Sequence, residues 1–164
     1  MKLKITFAII IALLTFQKSF SHDALFKGKI VNYETNAPMP GVTILEKNHP
    51  PNGTISDKDG NFEIKIESDT THLEFYFVTC YPIKFMNIPI EKKHIDLGEI
   101  KMAQNYLLSN MIICGPSTPI NESDKQKDIK LKKDILEKYR IKVFGKKLKP
   151  YFEARNLIFD FNKN

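Results

Sequence analysis

The sequence has only two cysteines, Cys80 and Cys114, and four histidines, His22, His49, His72 and His94, in 164 residues. No His pair brackets a Glu at i, i+4 and no His-x-x-Glu occurs, so a hydrolase-type zinc site has no ligands. The two thiols, with no close His, make no zinc-finger pattern either. A Gly-x-Ser-x-Gly elbow and a Gly-rich phosphate loop are also missing, which removes the common serine-hydrolase and nucleotide-binding signatures. No cofactor is expected on these grounds. Arginine is absent before Arg140, and no useful internal repeat is visible.

What is present begins with "MKLKITFAIIIALLTFQKSFS". Lys2 and Lys4 precede an apolar run from Ile5 to Phe16, and Ser19-Phe20-Ser21 supplies a small-x-small cleavage pattern. This is the anatomy of a secretory signal peptide over residues 1–21. The run is shorter than the ~20 apolar residues that cross a bilayer as a helix. An exported chain starting near His22 is expected, and an uncleaved anchor is the other reading. Export permits a disulfide between Cys80 and Cys114, which would stabilise the fold by roughly 3–4 kcal/mol through chain entropy. Two buried, unpaired thiols are the alternative.

Length allows one domain with a real core and a small addition. Through residue 114 the charges balance, 12 Lys against 12 acidic residues, whereas residues 115–164 hold 13 Lys or Arg against 7 acidic residues. The net charge of +6 therefore belongs to the C-terminal part.

From Leu25 to Met102 short strand-like runs alternate with turns, and helical periodicity is absent. "NFEIKIE" sets Phe62, Ile64 and Ile66 on one face against Glu63, Lys65 and Glu67. "HLEFYFV" repeats the pattern with Leu73, Phe75 and Phe77. With "ALFKGKIVN", "VTILEK", "IKFMNIPI" and "HIDLGEIKM" the spacing predicts about seven strands in an all-β antiparallel sandwich over residues 22–104.

An extension and linker follow over 105–122, containing the apolar "YLLSNMIICG" and the Pro-bearing "GPSTPINES". Residues 123–164 read as a small basic α/β appendage. It has a Lys-rich helix with Ser123 as N-cap and candidate strands at Ile141–Phe144 and Leu157–Phe161. The helix stripe of Leu131, Ile135, Leu136 and Tyr139 looks too thin for much burial.

"TISDKDGNFEI" places Asp57, Asp59 and Asn61 at alternate positions, as a calcium loop would. An EF-hand needs Gly at position 6 and an acid at 12; counted from Asp57 these are Phe62 and Ser68. Asp59-Gly60 is instead a strong hairpin signal, with Gly supplying positive φ, so a turn is expected and not a metal site.

These residues, with "GKIVNYETNAPMPGVTILEKN" and "IDLGEIKM", resemble the carboxypeptidase-regulatory-like domain, a transthyretin-like β-sandwich. Gly28, Ile30, Pro40, Gly41, Val42, Ile44, Thr54, Ser56, Asp57, Gly60 and Phe62 fall in the family's order across about residues 25–102. Thr79-Cys80 stands before Tyr81 where the family has a Gly, so the turn there departs from the pattern. The resemblance implies a seven-stranded sandwich in which Gly41, Asp57, Asp59 and Gly60 are turn positions. It implies an exported accessory module, of the kind found beside some metallocarboxypeptidases and at the N-terminus of TonB-dependent receptors of the Bacteroidetes type. "LLSNMIICG" is similar to the run that leads from such modules into the receptor plug.

The functional expectation is a non-enzymatic exported module that binds an unknown protein partner in a bacterial envelope, periplasmic, outer-membrane-associated or secreted. Sheet edges and loops would make the contact. The basic tail is a candidate for contact with an anionic surface and not with nucleic acid. A carbohydrate-binding module using Tyr33, Tyr76 or Tyr81, or an accessory subunit of a hydrolase or peptidase, are the alternatives. Asn52 and Asn121 open formal glycosylation sequons.

Overall fold

The computed structural model describes residues 23–47, 52–107 and 121–163. The expected signal peptide over residues 1–21, His22, His49, Cys114 and most of the expected extension lie outside these residues. Among the described residues the elements are eleven strands and one helix. Seven strands come first: β1 (Asp23–Asn32), β2 (Thr43–Glu46), β3 (Gly53–Ile55), β4 (Asn61–Glu67), β5 (Thr70–Tyr76), β6 (Ile83–Pro89) and β7 (His94–Met102). Helix α1 (Glu122–Lys138) is followed by β8 (Ile141–Val143), β9 (Lys146–Leu148), β10 (Tyr151–Glu153) and β11 (Asn156–Asp160).

The period-two stripes become the inner faces of two sheets. One has the order β4-β1-β7 and the other β10-β11-β6-β5-β2-β3, with β8-β9 a separate hairpin. In β4, Phe62, Ile64 and Ile66 are buried while the residues between them are exposed. Burying each such side chain stabilises the fold by about 1.5–3 kcal/mol relative to leaving it in water. Aromatic rings cross the core in series. Phe62 meets Phe75 edge-on at 5.4 Å, Phe75 meets Phe85 at 5.5 Å, Phe85 stacks on Phe159 at 5.2 Å and Phe159 meets Tyr139 at 5.3 Å. Room for this comes from Gly28, where an added Cβ would lie 2.9 Å from Phe62 Cε1.

Two pairings depart from the expected antiparallel sandwich. β7 runs parallel to β1, and β11 runs parallel to β6. Side-chain alternation reports which face is buried, not strand direction. Parallel neighbours need long connections, and each of these pairs is separated by several other elements.

The C-terminal segment is built into the same core. Leu131, Ile135 and Tyr139 are buried in the same core as Phe85 and Phe159, so the narrow stripe is sufficient once it faces a sheet. Asp128, 3% exposed, pairs with Lys132 at 3.0 Å and accepts a hydrogen bond from the hydroxyl of buried Tyr81. Lys132 also sits 5.1 Å from the Tyr81 ring centroid. The N-cap lies two residues earlier than expected: it is Asn121, its side-chain oxygen accepting from Ser123 N at 3.1 Å. Asparagine is as good a cap as serine, and Glu122 and Asp124 in the first turn favour this start electrostatically.

Candidate functional site

On the outer face of the six-stranded sheet, side chains that point away from the core gather at one edge. In β2, Ile44 and Glu46 face inward, which turns Thr43 and Leu45 outward. Register sets Thr43 between Ile55 of β3 and Tyr76 of β5. Leu45 lies across Gly53, where its Cδ2 would be 2.8 Å from an added Cβ. The chain leaving β5 adds Phe77 and Val78. Among the described residues the exposed large apolar side chains are Leu45 (38%), Ile55 (63%), Phe77 (36%), Val78 (71%) and Ile129. Leu45 and Ile55 belong to this β2–β3 edge, and Phe77 and Val78 directly follow the end of β5.

Phe77 was expected on the buried stripe of β5. The strand instead ends at Tyr76, and Cys80 N donates to Phe77 O at 3.1 Å to close a turn that takes the ring out of the core. Thr79-Cys80, in place of the family's Gly, occupies this turn.

A charged cluster borders the apolar edge. Buried Glu74 pairs with Lys84 at 2.8 Å and Lys47 at 3.4 Å, and accepts from the Tyr76 hydroxyl. Burial pushes its carboxyl up, but Lys84, Tyr76 and Lys47 together hold it below the ordinary range. Burial and the same carboxylate push the Tyr76 phenol up to about 12. Nearby, Glu46 Oε2 accepts from Asn52 Nδ2 at 2.6 Å and Oε1 from Thr71 Oγ1 at 3.1 Å. The Asn52 amide also donates to Lys65 O at 2.7 Å, so this sequon residue ties β3 to β4. Each carboxylate on this side is thus occupied by a structural partner.

Among the described residues β3 pairs with β2 alone and forms the end of its sheet. The Asp57–Asn61 turn then carries the chain from β3 to β4, that is, from one sheet to the other. It is a corner between sheets and not a hairpin between paired neighbours, because Gly60 closes against Ile30 of β1. Gly60 has φ +79, and an added Cβ would lie 2.4 Å from Ile30 O. Asp57 Oδ1 accepts from Asp59 N at 2.9 Å and Asn61 N at 2.8 Å, and the bond from Asn61 is the main reason its carboxyl is held low. Asp59 is exposed at the tip, and Gly41 turns at φ +77 in the approach to β2.

Cys80 is buried, in a bridge with Gln104, and burial pushes its thiol up to about 11. Of the other histidines, His94 is exposed at the start of β7, while His72 is half-buried with Nδ1 accepting from Asn87 N at 2.9 Å. Tyr33, Tyr76 and Tyr81 do not form one exposed platform, since Tyr81 is 1% exposed. Tyr33 instead lines a groove with Tyr106, a residue that sequence reasoning passed over because it sits inside an apolar run.

No curated protein matches the chain. Two complexes of type II cohesin with X-dockerin from Acetivibrio cellulolyticus, each an interface mutant, are partly similar in structure. The first has a TM-score of 0.42 and 20% identity, over 50% of this chain and 58% of that one. The second has a TM-score of 0.44 and 22% identity, over 63% and 70%. A 9R-lipoxygenase from Cyanothece PCC8801 gives a TM-score of 0.39 and 13% identity, over 70% of this chain and 23% of that one. The chain thus spans just over half of the first of these structures. The family model of the CarboxypepD_reg-like domain matches residues 26–113, more than half of the sequence, and the chain belongs to that family.

Proposed function

We propose that this chain is an exported, non-enzymatic β-sandwich module that binds an extended segment of a protein partner in a bacterial envelope. The supporting observation is the coincidence of an edge strand, β3, with Ile55 and its neighbour Leu45 of β2 exposed there, and with Phe77 and Val78 exposed just past the end of β5. A partner strand added to β3 would form main-chain hydrogen bonds there. Its alternate side chains would cover Leu45 and Ile55, and Glu74, Lys47 and Lys84 would form a polar rim. Apolar side chains gathered at an edge are an aggregation hazard unless something covers them, which is the physical reason to expect an occupant. An accessory place in a TonB-dependent transport system is the finer reading that the family makes attractive, and service to a hydrolase or peptidase is the alternative.

The test uses the full mature chain as bait in envelope extract, with Ile55→Arg and Val78→Arg as variants. A stoichiometric protein recovered by the wild type and lost by both folded variants supports the reading. Recovery unchanged by the variants, or none above background, overturns it.

A second reading draws on the basic segment. Lys142 and Lys147 are directly opposed in the β8–β9 hairpin, and Lys146 and Lys149 are also exposed. Like charges across a strand pair repel, and an anionic surface would relieve that repulsion. Salt-sensitive binding to anionic vesicles, lost on Lys142→Gln/Lys147→Gln, is the expected outcome; binding that ignores the substitutions sinks it.

A further inference from the structure

A groove of about 440 Å³ runs between the end of β1, the chain leaving β7 and helix α1. Its walls carry Tyr33 and Tyr106, its floor includes buried Leu131, and Glu34, Lys130 and Asp134 stand around it. This volume falls in the ordinary range for small-ligand sites, roughly 300–1,000 Å³.

The polar groups divide into those already occupied and those left for a ligand. Tyr33 donates its hydroxyl to Asp134 Oδ2 at 2.8 Å, and Lys138 also pairs with Asp134. Tyr106 donates to Glu34 Oε1 at 2.6 Å. Both phenol protons are thereby committed, which fixes the ring positions. Both phenols are pushed up to about 12 and stay neutral, Tyr33 chiefly by burial and Tyr106 chiefly by its bond to Glu34. Tyr33 is braced from behind by Tyr139 at 5.8 Å, edge-on. Glu34 Oε2 and the Lys130 ammonium have no hydrogen bond or ion pair among the described residues.

We propose that this groove is a saccharide site in which Tyr33 and Tyr106 face the C–H side of a neutral sugar ring, while Glu34 accepts from and Lys130 donates to its hydroxyls. The ligand class follows from the balance of groups. Pre-positioned aromatic rings suit a ligand with an apolar face. One spare acceptor and one spare donor of opposite charge suit hydroxyls, which can serve as either partner. A strongly anionic ligand would be opposed by Glu34. The groove uses different elements from the β3 edge, so it stands independently of the protein-binding reading.

The test is a screen of the full mature chain against cello-, xylo-, manno- and chito-oligosaccharides, followed by calorimetry on whatever is retained. Tyr106→Ala and Glu34→Gln are the variants, and unchanged thermal melts establish that each is folded. Neutral oligosaccharides should bind with little change between about 0.05 and 0.5 M salt. Tyr106→Ala should weaken binding about tenfold or more, and Glu34→Gln should weaken it without shifting the melt. The proposal is overturned if none of the oligosaccharides is retained, or if binding survives Tyr106→Ala undiminished.

Discussion

The contact between Tyr81 and Asp128 fastens helix α1 to the sandwich, and its coupling energy can be measured. Both side chains are buried, and among the described residues Lys132 is the ion-pair partner of Asp128. A hydrogen bond to a charged group contributes about 1.5–3 kcal/mol, and a buried polar group left without a partner costs about 1–3 kcal/mol. Tyr81→Phe should therefore destabilise by about 2 kcal/mol, with the carboxylate still held by Lys132. Asp128→Ala should cost about 3 kcal/mol, because the Tyr81 hydroxyl is then stranded. The double variant should cost little more than Asp128→Ala alone, giving a coupling energy of about 2 kcal/mol. Urea unfolding followed by circular dichroism, with m unchanged across the set, reads this directly. If the two single effects add to within about 0.5 kcal/mol, the contact does not join helix to sheet as described.

Gly60→Ala should destabilise by about 2 kcal/mol or more, since it forces a side chain to positive φ and into Ile30 O; a thermal melt unchanged from wild type would contradict that packing. Acid should also weaken the fold. Glu74 is held low by Lys84, Tyr76 and Lys47 against its burial, and Asp134 by Lys138 and Tyr33. Their folded values lie below their unfolded ones, so the stability they add is present above the ordinary carboxylate range and is lost as pH falls through the folded values. The urea midpoint should be flat near neutrality and decline below about pH 4, less steeply in Glu74→Gln; an identical acid limb in that variant would remove Glu74 from the account.

The sandwich was legible in the sequence wherever one face of a strand is wet. "NFEIKIE" alternates in burial without a fault. The pattern misled at Phe77, because alternation continues one residue past the point where the chain turns. It was silent on strand direction, so both parallel pairings came as corrections. The docking of α1 was missed for a different reason. Three apolar side chains look few when counted along a Lys-rich helix, but Asp128 and Lys132 add a buried polar contact that hydropathy scores as solvent-facing. The groove was half legible: Tyr33 stood out, whereas Tyr106 gained meaning only through Glu34, distant in sequence and adjacent in space. The exposed apolar pair could have been suspected from Phe77 and Val78, which come after the last residue of β5, Tyr76, and enter the turn that Cys80 closes.

The parallel seam between β6 and β11 bears on how this molecule can be dissected. The family match stops at residue 113, yet β6 lies inside its sheet only because Leu157–Asp160 cover its far side. An excised fragment ending at that boundary would turn an interior strand into an open, seven-residue rim carrying Ile83, Phe85 and Ile88. Such a fragment should precipitate or self-associate, so trimming to the recognisable portion would yield an insoluble product rather than a minimal working unit.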